Sequence, residues 1–312
     1  MADELAARLA AVLGAAEIAD LTRLSGGASR DTWRFQADGR LLILQLQRDG
    51  DERDMAVEAA AVRAAAAAGV PTATLVAASK NRADLGAAYT IVTSVVGETT
   101  PRKLLRDAEF AHAREVLPTQ LADALVKIHA IDPAAIPGLA NTDQVEQHRQ
   151  VLDTLGEPHP TFELALRWLD AHRPPAGPHV VVHGDFRLGN VIVDELGLRA
   201  VLDWELVHLG DPLEDLGWMC VKAWRFGSPR PAAGVGTYDE LFEAYEAAGG
   251  APVDIDAVRW WEVLGTMKWG IMCIMQASAH LTGTTRSHEQ AAIGRRVCEN
   301  EHDLFLALDG HW

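Results

Sequence analysis

The stretch His183-Gly184-Asp185-Phe186-Arg187-Leu188-Gly189-Asn190, followed by Val191-Ile192-Val193 and then by Asp203-Trp204-Glu205, decides how this chain is read. Val180 to Val182, just before it, form a short β-branched apolar run, the signal of a buried strand. The runs "VIV" at 191–193 and "LRAVL" at 198–202 read as a hairpin closing around Glu195 to Gly197. Polar residues then stand at the strand ends, so Asp185, Asn190 and Asp203 converge at one mouth.

Two carboxylates and an amide so placed suit phosphoryl transfer. That reaction needs a carboxylate to orient the attacking hydroxyl and oxygen ligands for the magnesium ion that bridges the phosphates. Asp185 is the candidate acceptor of the hydroxyl proton. Asn190, through its amide oxygen, and Asp203 are candidate ligands for Mg²⁺, a hard cation that takes oxygen donors. The Asp-Trp-Glu triplet begins thirteen residues after Asn190, and a short loop plus a hairpin returns its carboxylate to Asp185. A dinuclear metallophosphoesterase is the competing hydrolytic reading; it needs a second Asp where Leu188 stands and a His where Val191 stands.

With these residues in place, the chain resembles the aminoglycoside phosphotransferase family, whose members carry HGDxxxxN and a following metal-binding Asp. The segment "LDWELVHLGDPLEDLGWM" (202–219) is similar to the branch fused to certain acyl-CoA dehydrogenases, and "LSGGASRDTW" (24–33) matches as well. The resemblance covers roughly residues 20 to 300. It implies an α+β, two-lobed protein-kinase-like fold. Residues 1–97 would form a small N-terminal lobe with an antiparallel sheet, ending in a hinge at Ser94 to Gly97, and residues 98–312 a larger, mainly helical lobe. It also implies ATP (or GTP) with Mg²⁺ and a small hydroxylated acceptor. That branch points to a hydroxyacyl-CoA-like metabolite; an aminoglycoside or macrolide antibiotic is the alternative within the same chemistry.

Residue by residue, the resemblance assigns a nucleotide site. Ser25 to Ser29 lie between two strand candidates, where small residues let backbone N–H groups approach phosphates. Alone, this stretch is an ordinary glycine hairpin turn; with the downstream motif, Gly26, Gly27 and Ser29 become candidate phosphate contacts. Glu58, on the Ala-rich helix expected from about Glu52 to Ala68, matches an acid that relatives pair with a basic residue on the preceding strand. By itself it would be a solvated helix acid. Here the chain departs from the family, because "ILQLQR" (43–48) puts Gln45 where relatives have Lys or Arg. Strand alternation turns Gln45 and Gln47 to one side and Arg48 to the other. That missing charge motivates a rival reading as a nucleotide-binding pseudokinase. Backbone groups of Ser94 and Val95 are candidates for holding the base.

The rest of the chain supplies limits and scaffolding. Its 312 residues with 48% hydrophobic content suffice for one large or two modest domains. A net charge of −16 disfavours nucleic acid, which needs clustered Lys and Arg, and permits a cationic acceptor. Three scattered cysteines without CxxC spacing suit a reducing cytoplasm rather than a disulfide framework or zinc site. "VLGTMKWGIMCIMQASA" (263–279) is broken by Lys268 and short for a membrane span, so it reads as a buried helix. His129 and His183 read as structural histidines, and Asp211 and Asp215 as a helix cap and a brace for the catalytic loop. Trp218, Trp224, Trp260, Trp261 and Trp269 read as core, with a cleft wall as the alternative. Lys222, Arg225 and Arg230 would suit an anionic acceptor tail, and Glu214 a cationic drug.

Overall fold

The computed structural model describes residues 2–24, 30–51 and 53–312. The N-terminal lobe contains α1 (Ala2–Leu13), β1 (Ile18–Arg23), β2 (Arg30–Ala37), β3 (Arg40–Gln47), α2 (Met55–Ala67), β4 (Leu75–Ser79), α3 (Arg82–Leu85) and β5 (Tyr89–Thr93). Its five strands form one antiparallel sheet in the order β1-β2-β3-β5-β4. Asp38 and Gly39, both at positive φ (48° and 76°), close the β2–β3 hairpin with the backbone twist that two-residue turns require.

Alternation along the strands separates two faces. Phe35, Leu42, Leu44 and Ile91 are buried on one face against Leu9 of α1. Arg30 pairs with Gln47, and Thr32 and Thr90 flank Gln45, so these residues share the opposite face. The expected helix from Glu52 begins three residues later, at Met55, with Asp54 as its N-cap. Gln47 accounts for the delay: its Nε2 donates to the carbonyls of Asp51 (2.8 Å) and Arg53 (2.7 Å), which holds that segment outside the helix.

After β5 the chain is stitched to both lobes. Ser94 N–H donates to Leu41 at 3.0 Å, while Glu98 exchanges backbone bonds with Val193 (2.8 and 3.0 Å). Gly97 lies between them at φ 150°, and a Cβ there would meet Ile192 Cγ2 at 2.5 Å, so the close approach requires glycine.

The helical lobe opens with α4 (Pro101–Arg106), α5 (Ala111–His129), α6 (Gln144–Leu155) and α7 (Pro160–Ala171). Four short strands follow: β6 (Val180–Val182), β7 (Val191–Asp194), β8 (Gly197–Val201) and β9 (His208–Gly210), then α8 (Leu213–Cys220). The chain ends with α9 (Tyr238–Ala247), α10 (Ile255–Leu281), α11 (His288–Ile293) and α12 (Val297–Leu308). β7 and β8 form the expected hairpin, and β6 pairs with β9. Leu117, Leu121, Leu125 and Ile128 of α5 share one buried cluster with Leu216 and Met219 of α8. Phe162 and Leu166 of α7 share a second with Val263 and Met267 of α10. Each such side chain contributes roughly 1.5–3 kcal/mol by leaving water.

The 263–279 run lies inside α10, a 27-residue helix buried on most of its circumference. Among the described residues no helix is long and apolar enough to cross a membrane.

Candidate active site

β6 delivers the chain into His183, and Gly184 makes the turn at φ 79°, where a Cβ would lie 2.5 Å from the Leu206 carbonyl. Asp215 of α8 accepts the backbone N–H groups of His183 and Gly184, each at 2.9 Å. His129, at the end of α5, reaches the same carboxylate through Nε2 (3.2 Å) and meets the Tyr245 hydroxyl through Nδ1 (2.8 Å). Burial raises the Asp215 pKa, but the His129 bond and the backbone N–H donors outweigh it and hold the group below its ordinary value.

His183 is fully buried; its Nε2 faces the Leu202 carbonyl at 3.0 Å and its Nδ1 accepts Asp185 N–H at 3.2 Å. Those partners fit a neutral ring protonated on Nε2, in line with burial lowering its pKa. Asp211 caps α8 by accepting Leu213 N–H at 2.9 Å. The two histidines and two aspartates thus occupy the supporting positions read from the sequence.

Asp185 and Asn190 are in contact. Asn190 Nδ2 donates to Asp185 Oδ2 (2.5 Å) and to the Asp185 carbonyl (3.0 Å), which turns its amide oxygen away from the carboxylate. Asp185 Oδ1 accepts Trp218 Nε1 at 2.8 Å and Arg187 Nε at 2.9 Å. Asp203 follows β8 in the left-handed region (φ 64°, ψ 63°). Burial first, then the charges of Glu205, Asp185 and Glu58, push its carboxyl up to about 8. Carboxylates crowded in this way repel one another, and a divalent cation relieves the repulsion. The amide oxygen of Asn190 and the carboxylate of Asp203 are a donor set that fits Mg²⁺, which keeps few protein ligands. Sequence reading missed Arg187 and Trp218 as partners of Asp185. Arg187 stood inside the motif, whereas nothing in the spacing separates Trp218 from a core tryptophan.

The Glu58 side of the site differs from the expected pairing. Glu58 is buried, and its partner is Arg30 Nη2 at 3.2 Å, from the first residue of β2. Arg30, itself 4% exposed, also pairs with Asp51 and lies 4.0 Å from Glu205. Arg53 bridges Asp51 (2.8 Å) and Glu205. Arg30 therefore holds the place beside Glu58 that the resemblance gave to the Gln45 position. Gln45 instead accepts the Thr90 hydroxyl at 3.2 Å. As alternation required, Arg48 turns to the other face, where its Nε meets Asp31 at 2.9 Å. Burial raises the Glu58 pKa despite Arg30. Ser94 spends its N–H in the sheet, and Val95 follows in the linker. Gly26, Gly27 and Ser29 lie outside the described residues.

A groove of about 730 Å³ is lined by Leu105 and Arg106 of α4, Arg114 and Glu115 of α5, and Phe226, Arg230 and Glu240. Of the three basic residues considered for an acceptor tail, only Arg230 lines it. Lys222 pairs with Asp303 at 2.7 Å, and Arg225 is buried against Glu262 at 2.6 Å. Trp218, Trp224 and Trp269 form a buried aromatic cluster and Trp260 joins the α7–α10 core, as read from the sequence.

This architecture has known counterparts. A Ralstonia eutropha JMP134 protein assigned to the aminoglycoside phosphotransferases superposes with a TM-score of 0.76 at 21% identity, over 99% of this chain and 98% of that one. A spectinomycin phosphotransferase solved with ADP and spectinomycin gives 0.69 at 13% identity, over 98% of each chain. In sequence, mouse acyl-CoA dehydrogenase family member 10 is 26% identical over 270 residues, 75% of this chain but 24% of that protein. Chicken acyl-CoA dehydrogenase family member 11 is 25% identical over 219 residues, 62% of this chain and 27% of that protein. The chain thus spans about a quarter of the length of these curated relatives. The model of the phosphotransferase enzyme family matches residues 20–261, a span that holds Arg30, Glu58, Asp185, Asn190, Asp203 and Asp215, and the chain belongs to that family.

Proposed function

We propose that the chain transfers the γ-phosphoryl group of ATP to a hydroxyl of a small molecule, with Asp185 as the residue that orients the hydroxyl and takes its proton. The observation that carries this reading is the contact between Asp185 and Asn190 at one mouth with Asp203, whose carboxyl is crowded by three others. The acceptor oxygen bonds to the γ-phosphorus, the bond from that phosphorus to the β–γ bridging oxygen breaks, the proton passes to Asp185 and ADP leaves. Asn190 and Asp203 would hold Mg²⁺, which would supply positive charge against the phosphate oxygens. Residues up to 97 form the nucleotide lobe: Ser94 and Val95 meet the base, Gly26, Gly27, Ser29 and Gln45 the phosphates. Glu58 fixes the Arg30 guanidinium beside them. The charge missing at Gln45 is replaced by Arg30, which weighs against a pseudokinase.

The acceptor lies along the 730 Å³ groove. Arg187, a partner of Asp185, stacks over Trp224 at 4.5 Å, and Phe226, two residues further along the chain, lines the groove. Arg230 is paired with Glu240, but no carboxylate pairs with Arg106 or Arg114 among the described residues, and Arg114 donates only to the Leu104 and Asp107 carbonyls. Glu115 and Glu240 also line the groove, so in a chain of net charge −16 its three arginines leave a slight basic excess, which favours an anionic hydroxylated acceptor, such as a hydroxyacyl-CoA, over a cationic aminoglycoside. The similarity to acyl-CoA dehydrogenase family members supports the same choice.

The test is a screen of hydroxylated acyl-CoAs, metabolites and antibiotics for Mg²⁺-dependent ADP release from ATP and from GTP. Asp185→Ala should lower turnover on the best acceptor by about 10² to 10⁴ while leaving nucleotide affinity nearly unchanged, the usual range for a positioned base. Near-native turnover in that variant refutes the mechanism. Arg106→Glu should raise KM for an anionic acceptor; an unchanged KM removes the groove from the acceptor site.

A further inference from the structure

Asp185 is held from behind by groups outside its own loop. The Trp218 indole, 2% exposed, donates to Oδ1 at 2.8 Å. Lys268 of α10, 8% exposed, stands against that indole with Nζ 4.7 Å from the ring centroid. The same ammonium donates to the Gly184 carbonyl at 3.1 Å and lies 3.5 Å from Glu214 Oε1. Glu214 is paired in turn with His208 at 3.0 Å.

A lysine head group this deep is costly, since burial strips its hydration and an apolar side chain of similar volume would fill the space more cheaply. Its placement supplies what an apolar residue lacks. It fixes the carbonyl of the residue preceding Asp185 and, through a cation–π contact, the indole whose N–H points at Asp185. The occupancy of the carboxylate follows. Trp218 and Arg187 fill Oδ1, while Asn190 takes one side of Oδ2, so the free lone pair on Asp185 is the second one of Oδ2.

We infer that Trp218 and Lys268 are positioning residues that hold the Asp185 carboxylate so that Oδ2 alone receives the acceptor hydroxyl. This rests on the reading of Asp185 as the proton acceptor. The polar partners of Trp218 and Lys268 are Asp185, the Gly184 carbonyl and Glu214, so their loss should fall on the rate of the chemical step and spare Mg²⁺-ATP binding.

The probe is ADP release from Mg²⁺-ATP with water as acceptor, run on wild type, Asp185→Asn, Trp218→Phe, Lys268→Met and the Trp218→Phe/Lys268→Met double variant, with thermal melts to check folding. Trp218→Phe keeps an aromatic face and removes the indole N–H together with part of the ring. It should lower kcat about tenfold, as expected for one lost hydrogen bond to a charged group, with KM for Mg²⁺-ATP within about twofold of wild type. Lys268→Met should lower kcat in the same direction, and Lys268→Arg should recover part of it. The double variant should lose less than the product of the two single losses, because both act on one carboxylate. An unchanged kcat in Trp218→Phe, a KM that rises as much as kcat falls, or a fully multiplicative double variant overturns the inference. If Lys268→Met does not fold, the Trp218→Phe result decides alone. Wild-type-like release by Asp185→Asn would instead sink the reading of Asp185 as the proton acceptor, which keeps the two failures distinguishable.

Discussion

The two sides of the candidate site are built on opposite electrostatic plans. On the catalytic-loop side, one buried carboxylate, Asp215, is satisfied by two backbone N–H groups and a histidine, and its pKa falls below the ordinary value. On the nucleotide side, Arg30 and Arg53 face Asp51, Glu58 and Glu205, with Asp203 close by, and both Glu58 and Asp203 are pushed upward. The first side is completed by the chain itself and holds a loop in one geometry before any ligand arrives. The second gathers four carboxyl groups around two guanidinium groups, an imbalance that the proposed Mg²⁺ would relieve. On the proposed function that division is useful: rigidity around Asp185, and an unmet charge demand beside Asp203.

The harshest way to break this contrast is Asp215→Ala. It leaves two buried N–H groups and His129 without their acceptor, and about 3–5 kcal/mol of folding stability should go with them. Urea unfolding at neutral pH checks it, and Mg²⁺ should restore none of the loss. A loss below about 1 kcal/mol would mean that the loop is held by its packing and not by this carboxylate.

Arg30→Met applies the same logic to the other side. Removing one of the two cations takes away the guanidinium bonded to Glu58, and about 2–3 kcal/mol should be lost. Here Mg²⁺ should return part of the stability, because the added negative imbalance strengthens the demand for a cation. If Mg²⁺ rescues both variants or neither, the two sides are not differently built. Mg²⁺-ATP affinity measured on the same samples should fall in Arg30→Met and hold in any Asp215 variant that stays folded.

The catalytic half was legible because its residues are local: a strand signal, eight residues of motif and a hairpin bring Asp185, Asn190 and Asp203 together with little freedom in between. The brace was legible for the same reason, since Asp211-Pro212 announces a helix start and Asp215 falls one turn inside it. Arg30 was not, although it was quoted within the matching segment. Its pairing with Glu58 depends on the β2–β3 register, which sets Arg30 opposite Gln47, and a register follows from strand pairing that no single-strand pattern encodes. Lys268 was read as an interruption of an apolar run, because hydropathy cannot tell a lysine that stays wet from one drawn inward to a carbonyl and an indole.

The smallest expected effect concerns the linker between the two sides. Glu98 joins it to β7 through its backbone, while its carboxylate accepts Lys103 Nζ (2.8 Å) and the N–H groups of Thr99 (2.9 Å) and Thr100 (2.8 Å) at the start of α4. The Lys103 bond first, then those from Thr100, hold its pKa down from 4.5 to about 2. A depressed carboxylate stabilises the fold above its unfolded-state value and loses that contribution as pH falls through the folded one. The difference in stability between wild type and Glu98→Gln should therefore be constant above about pH 5 and shrink steadily from about pH 4.5 toward pH 2. The carboxylate is partly solvated, so the plateau should be only about 1 kcal/mol and should narrow with added salt. Urea midpoints between pH 7 and 3.5 would read it. A difference that grows toward acid would reverse the sign, and would place the hold on this linker in the Glu98–Val193 backbone pair, with the carboxylate contributing nothing to it.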